Sequence, residues 1–132
     1  MLKTQFIAAL SLAIFCPAAF ACGDCVDNKI SSVYDHGVVD RALASKHQVM
    51  FFAIDGRITS TPGERRVLEH VVASTPGVET GTARVSTEAA ALSVAIDPER
   101  TPVAAVERSL RNTMARRSLT LQLLRVMSGS RF

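Results

Sequence analysis

Residues 59–78 read TSTPGERRVLEHVVASTPGV, and the rest of the fold follows from what this stretch requires of its neighbours. Thr61 is placed to cap a helix. Pro62 suits the first helical position, where its missing N–H has no partner to lose, and Glu64 can reach back to complete a capping box. Val67, Leu68, Val71, Val72 and Thr75 predict a buried stripe, with Arg65, Arg66, Glu69 and His70 turned to water. Pro76-Gly77 stops the helix. A helix with one apolar stripe needs a surface to lie on, and the flanking sequence supplies strands.

Upstream, HQVMFFAID (47–55) is apolar on both alternating faces, as expected of a strand in the middle of a sheet. Downstream, Val78 to Val85 and Ala90 to Ile96 read as two strands joined through Ser86-Thr87-Glu88, and Asp97-Pro98 ends the second. A further helix is expected to start with Thr101 as cap and Pro102 in its first turn, burying Val103, Val106, Leu110 and Met114. The last strand, SLTLQLLRVM (118–127), alternates Leu119, Leu121 and Leu123 on one face. Right-handed crossovers fold this order into an α+β, ferredoxin-like βαββαβ sandwich, with four antiparallel strands and both helices on one side.

The second face of that sheet needs a cover. Residues 25–45, CVDNKISSVYDHGVVDRALAS, read as one helix with Val26, Ile30, Val33, Tyr34, Val38 and Ala42 along its apolar side. Gly37 weakens its middle by about 1 kcal/mol relative to alanine. Either this helix lies over part of the open face, or a protein partner or second copy of the chain docks there.

The first 21 residues, MLKTQFIAALSLAIFCPAAFA, read as a signal peptide: Lys3, a short apolar run, Pro17, and the small-x-small pattern Ala19-Phe20-Ala21. The run is short against the roughly 20 residues that span a bilayer. Export to the periplasm is therefore expected, with Cys22 opening the mature chain and Cys16 leaving with the leader. A lipoprotein signal would also cut before a cysteine, but Ala19 and Phe20 occupy the places where it usually has leucine and a small or β-branched residue. Membrane contact is expected only with a lipidated Cys22. The expected organisation is signal peptide (1–21), cysteine-headed helix (22–46), ferredoxin-like domain (47–127) and tail (128–132).

The formal net charge is +3, and falls to +2 once Lys3 leaves with the leader. Arginines crowd late in the chain (Arg108, Arg111, Arg116, Arg117, Arg125, Arg131). An exported protein does not routinely meet nucleic acid, so no nucleic-acid partner is expected and these side chains read as a solvated face. Asp35-His36 and the exposed serines and threonines form no nucleophile–base set, so the protein is read as non-catalytic.

Ile54-Asp55-Gly56, the helix ending in Pro76-Gly77-Val78, the strand end Val94-Ala95-Ile96-Asp97-Pro98 and the Thr101-headed helix together resemble a heavy-metal-associated domain. That is the fold of small copper chaperones and of metal-ATPase N-terminal modules, and the likeness runs from Phe51 to about Val126. The family places a Cys-x-x-Cys pair at the start of the first crossover helix. Here those places hold Thr61 and Glu64, which cannot supply the soft thiolates that select Cu(I). The family's metal loop is not carried over onto any residue.

A Cys-x-x-Cys pair stands upstream instead, Cys22-Gly23-Asp24-Cys25. Two sulfurs three residues apart at a helix start lie on one side of the opening turn, where exposed N–H groups favour thiolate. With a free α-amine at Cys22 they make a donor set for Cu(I) or Zn(II), leaving room for a partner's ligand. A Cys22–Cys25 disulfide, which an oxidising compartment can close, is the competing reading. His36 lies eleven residues past Cys25, about 16 Å along a continuous helix, too far to share an ion. His47 and His70 read as surface residues, and Met50, Met114 and Met127 as core.

Overall fold

The computed structural model describes residues 23–129. Residues 1–22 and 130–132 lie outside the described residues, and with them the expected signal peptide and its cleavage, lipidation and the Cys22–Cys25 disulfide. The described chain is α+β. Its elements run α1 (Gly23–Val33), α2 (His36–Ala44), β1 (Gln48–Asp55), α3 (Pro62–Ala73), β2 (Arg84–Ser86), β3 (Ala91–Ile96), α4 (Val103–Ala115) and β4 (Thr120–Ser128). The strands form one antiparallel sheet in the order β2-β3-β1-β4. That order and the two crossover helices are compatible with the ferredoxin-like arrangement read from the sequence.

β1 is central, and its six residues from Val49 to Ile54 are buried. Alternation sends Met50, Phe52 and Ile54 to one face, where they meet Leu68 and Val72 of α3 and Val106, Leu110 and Met114 of α4. Val49 and Phe51 go to the other face, against Ile30 and Val33 of α1 and Val38, Val39 and Ala42 of α2. The sheet is thus covered on both sides, as the double-sided apolar strand requires. Of the covers expected for the second face, the leading segment is the one that lies there, as α1 and α2 over β1 and β3.

The stretch 25–45 is two helices. Asp35 adopts extended backbone (φ −113, ψ 111) and its Oδ1 accepts the Val38 N–H at 3.1 Å, so the chain starts a new helix instead of continuing the old one. Gly37 consequently lies in an opening turn. Tyr34, at the break, stacks on Phe51 with ring centroids 6.1 Å apart.

Four further expectations are corrected. Val67 is exposed, because α3 sets Leu68 and Val72 on the sheet and Val67 falls outside that narrow stripe. The long strand at 78–85 is reduced to Arg84–Ser86: Val78 makes an isolated bridge to Ile96, and a turn at Gly81 (φ +77) lifts the chain off the edge. The Thr82 hydroxyl takes over part of the ladder, accepting from the Ala95 N–H at 3.1 Å. Pro102, not Thr101, is the N-cap of α4; its carbonyl accepts from Ala105 and Val106 while the Thr101 methyl faces Gly77. Lastly, β4 does not keep one parity. Phe51 lies opposite Arg125 but Phe52 opposite Leu123, so Leu124 is an extra residue, a β-bulge. Leu119, Leu121 and Leu123 face α3 and α4 as read; past the bulge Val126 takes that face, while Leu124 and Met127 join the α1–α2 side.

Candidate functional site

Of the two sulfurs, Cys25 lies among the described residues, exposed in the opening turn of α1. The helix behind it is held firmly. Ile30 and Val33 are buried, and Ser93 Oγ donates to the Val33 carbonyl at 2.8 Å beneath it. Lys29 Nζ donates to the carbonyls of Ala89 and Ala90 in the β2–β3 turn. On its flank Asp27 faces Arg125 of β4 at 3.4 Å, and at the α1–α2 break Asp35 faces Arg84 of β2. The helix therefore enters from the β4 side and crosses the sheet to β2. Cys25 is exposed in the turn that precedes these contacts.

Asp35 joins the two leading helices to the sheet edge. Its Oδ2 accepts from both Nε and Nη2 of Arg84, each at 3.0 Å. The Val38 N–H first, and Arg84 second, hold its carboxyl below the usual carboxylate range. A carboxyl lowered in the folded state lends stability that is complete above its unfolded value and is lost as pH falls through the folded one. Asp35→Asn, which keeps a cap, is expected to flatten the acid limb of the stability curve. Urea midpoints measured from neutral to strongly acidic buffer check this; an acid limb as steep as in the parent would contradict it.

The Thr61–Glu64 turn is the start of α3. Thr61 Oγ1 accepts the Glu64 N–H at 3.1 Å, a cap worth about 1 kcal/mol. The reciprocal half of the capping box is absent: the Thr61 N–H donates to the Thr59 carbonyl at 2.9 Å, and the Glu64 carboxylate turns to Arg117, 3.8 Å away. Both residues are committed to holding α3.

The sequence did not foresee the surroundings of His47. It is half-buried, with Nδ1 against the Glu79 carboxylate and Nε2 3.6 Å from Asp97. A cleft of about 580 Å³ opens beside it, lined also by Gly77, Thr80, Arg100 and Thr101. The signal was available in register: His47 precedes β1 and Asp97 follows β3, and Gln48 pairs with Ile96. Its two ring nitrogens serve different carboxylates, so the three side chains do not converge on one point. Among the described residues, no three His, Cys, Asp or Glu side chains are placed to hold an ion. His36 is exposed and meets Tyr34 edge-on at 4.9 Å, and His70 is exposed on α3. Met50 and Met114 are core, while Met127 is half-buried against the α1–α2 cluster. No described helix is long and apolar enough to cross a membrane.

No family model, curated protein or solved structure matches the chain. The likeness to the heavy-metal-associated domain therefore rests on the residues quoted for it. Two of these have a backbone reason. Gly56 has φ +130, and a Cβ there would stand 3.0 Å from the Ser118 carbonyl oxygen; Gly77 has φ +90 and packs on Val106 and Thr101. Both are positions where the fold itself requires glycine.

Proposed function

We propose that this is an exported, periplasmic, non-catalytic metal-handling protein. In this reading it has a ferredoxin-like fold of the heavy-metal-associated kind, whose original loop has become a plain helix cap. It binds Cu(I) or Zn(II) through Cys22 and Cys25. The observation that carries the reading is the exposed Cys25 in the first turn of α1, three residues past a second cysteine. At that position the helix N–H groups favour thiolate, and Cys25 is an exposed residue there. The occupation of Thr61 and Glu64 by capping and by Arg117 is consistent with chemistry having left that loop.

Reduced protein titrated with Cu(I) against a competing chelator is expected to bind with a submicromolar dissociation constant. Cys22→Ser and Cys25→Ser should each weaken binding a hundredfold or more. Equal, weak binding by all three proteins would end the proposal. The second reading is a non-metal protein–protein interaction module with the two cysteines joined as a disulfide. The half-buried apolar residues along β4 favour it.

A further inference from the structure

Among the described strands β4 is the longest, at nine residues, and it lies at the edge of the sheet. Its half-buried residues Leu123, Leu124, Val126 and Met127 form an apolar run along that edge, interrupted by Arg125. A row of unpaired backbone groups beside such side chains is a template for another strand. From the register we infer that the occupant is a second copy of β4, antiparallel to the first, so that two chains share one continuous sheet.

The direction of each backbone group follows from one bond. The Ile54 N–H donates to Ala90, on the β3 side, so Ile54 does not bond toward β4. In an antiparallel pair its opposite number, Leu121, then turns both its N–H and its C=O outward. The same parity makes Leu123, opposite Phe52, face outward. Past the bulge it is Val126 and Ser128, opposite Met50 and Gln48, that do so. Arg111 of α4 donates to the Leu121 carbonyl from this outer side, as that assignment requires. A carbonyl has two lone pairs, so this contact leaves room for a second donor.

Outward groups spaced two, three and two residues apart do not fit a regular strand, whose outward groups recur every two. They do fit a copy of themselves. A two-fold axis between Leu124 and Arg125 sets Leu123 opposite Val126 of the partner copy and Leu121 opposite its Ser128, and the reverse. Each bulge then meets a bulge. The faces also agree: Leu121, Leu123 and Val126 all belong to the α3–α4 side. The one charge on the strand, Arg125, is matched by Asp27 of its own chain and would face a leucine across the axis. α1 enters from the β4 side, with Asp27 beside Arg125, so both copies place the head of α1 and Cys25 near the axis on one side of the sheet. On the thiolate reading proposed above, four sulfurs would then be on offer, the set that zinc takes in closed sites. The dimer itself does not depend on that reading.

Sedimentation equilibrium and amide exchange on the protein as isolated from cells test this. The expected result is a dimer whose Leu123 and Val126 amides exchange slowly. Ser128→Pro removes an outward N–H at an exposed strand end and should raise the dimer dissociation constant about tenfold. Leu124→Arg sets arginine against arginine across the axis and should raise it at least a hundredfold. Circular dichroism confirms that each variant stays folded. A protein that remains monomeric at millimolar concentration overturns the inference. So does a dimer indifferent to both substitutions, or a monomer with these amides already protected by its own chain. Dimerisation without metal binding would defeat the thiolate reading alone.

Discussion

Phe52→Ala is expected to lower stability by about 3–5 kcal/mol, toward the upper end of that range. Phe52 is fully buried at the middle of β1, on the face shared with Leu68, Val72, Val106 and Leu110. Its strand is hydrogen-bonded on both sides, with Leu92 and Leu123 as register partners. The backbone therefore cannot move in to fill the space, and α3 and α4 are held by their own stripes. A cavity that cannot collapse costs both the lost transfer free energy and the lost contacts. Phe51→Ala removes the same atoms on the other face, where the cover is two short helices and the ring stacks on half-buried Tyr34. That site can relax further, so its loss should be the smaller of the two. Urea midpoints at unchanged slope measure both. A loss at Phe52 below about 1.5 kcal/mol, typical of a tolerated swap, would contradict this packing.

Gly77→Ala is expected to cost about 2–4 kcal/mol, a large effect for one added methyl. At φ +90 an L-residue is strained before any contact is considered. The added Cβ would also stand 2.7 Å from Val106 Cγ2 and 3.0 Å from Thr101 Cγ2. Both neighbours are β-branched and stiff at χ1, and Val106 is fully buried, so neither yields cheaply. Gly63→Ala is the control: its Cβ would meet nothing within 4 Å. It lies in the first turn of α3 and should be neutral or slightly stabilising. Thermal or urea unfolding of the two variants side by side decides the matter, and equal stability would contradict the close approach at Gly77.

These two positions also show what the sequence made legible. The run VMFFAI, apolar at every position, can serve only a strand covered on both faces, and β1 is one. Pro76-Gly77 marked the end of α3 because the chain must turn there in a conformation that only glycine takes easily. What stayed hidden depends on contacts between segments distant in sequence. Val67 looks apolar at helical spacing, but the rotation of α3 on the sheet decides that it faces water. Asp35 gave a local signal, since an aspartate three residues before Val38 can start a helix; the periodicity running across it masked the break. The bulge at Leu124 has no local signal in a run of leucines. It is fixed by Arg125 turning to Asp27 while Val126 turns to the α3–α4 core. The site was only half legible. The Cys-x-x-Cys spacing stands out in the sequence, whereas His47 between Glu79 and Asp97 is assembled from three separate loops.

On the proposed function, thiolates at the head of α1 hold the ion and the Thr61 turn only caps α3. X-ray absorption at the zinc or copper edge of the loaded protein tests this most directly. The expected spectrum has sulfur scatterers, at about 2.3 Å for zinc, and loses them in Cys25→Ser while Glu64→Gln leaves them unchanged. A shell of oxygen and nitrogen alone, or one altered by Glu64→Gln and not by Cys25→Ser, would contradict it.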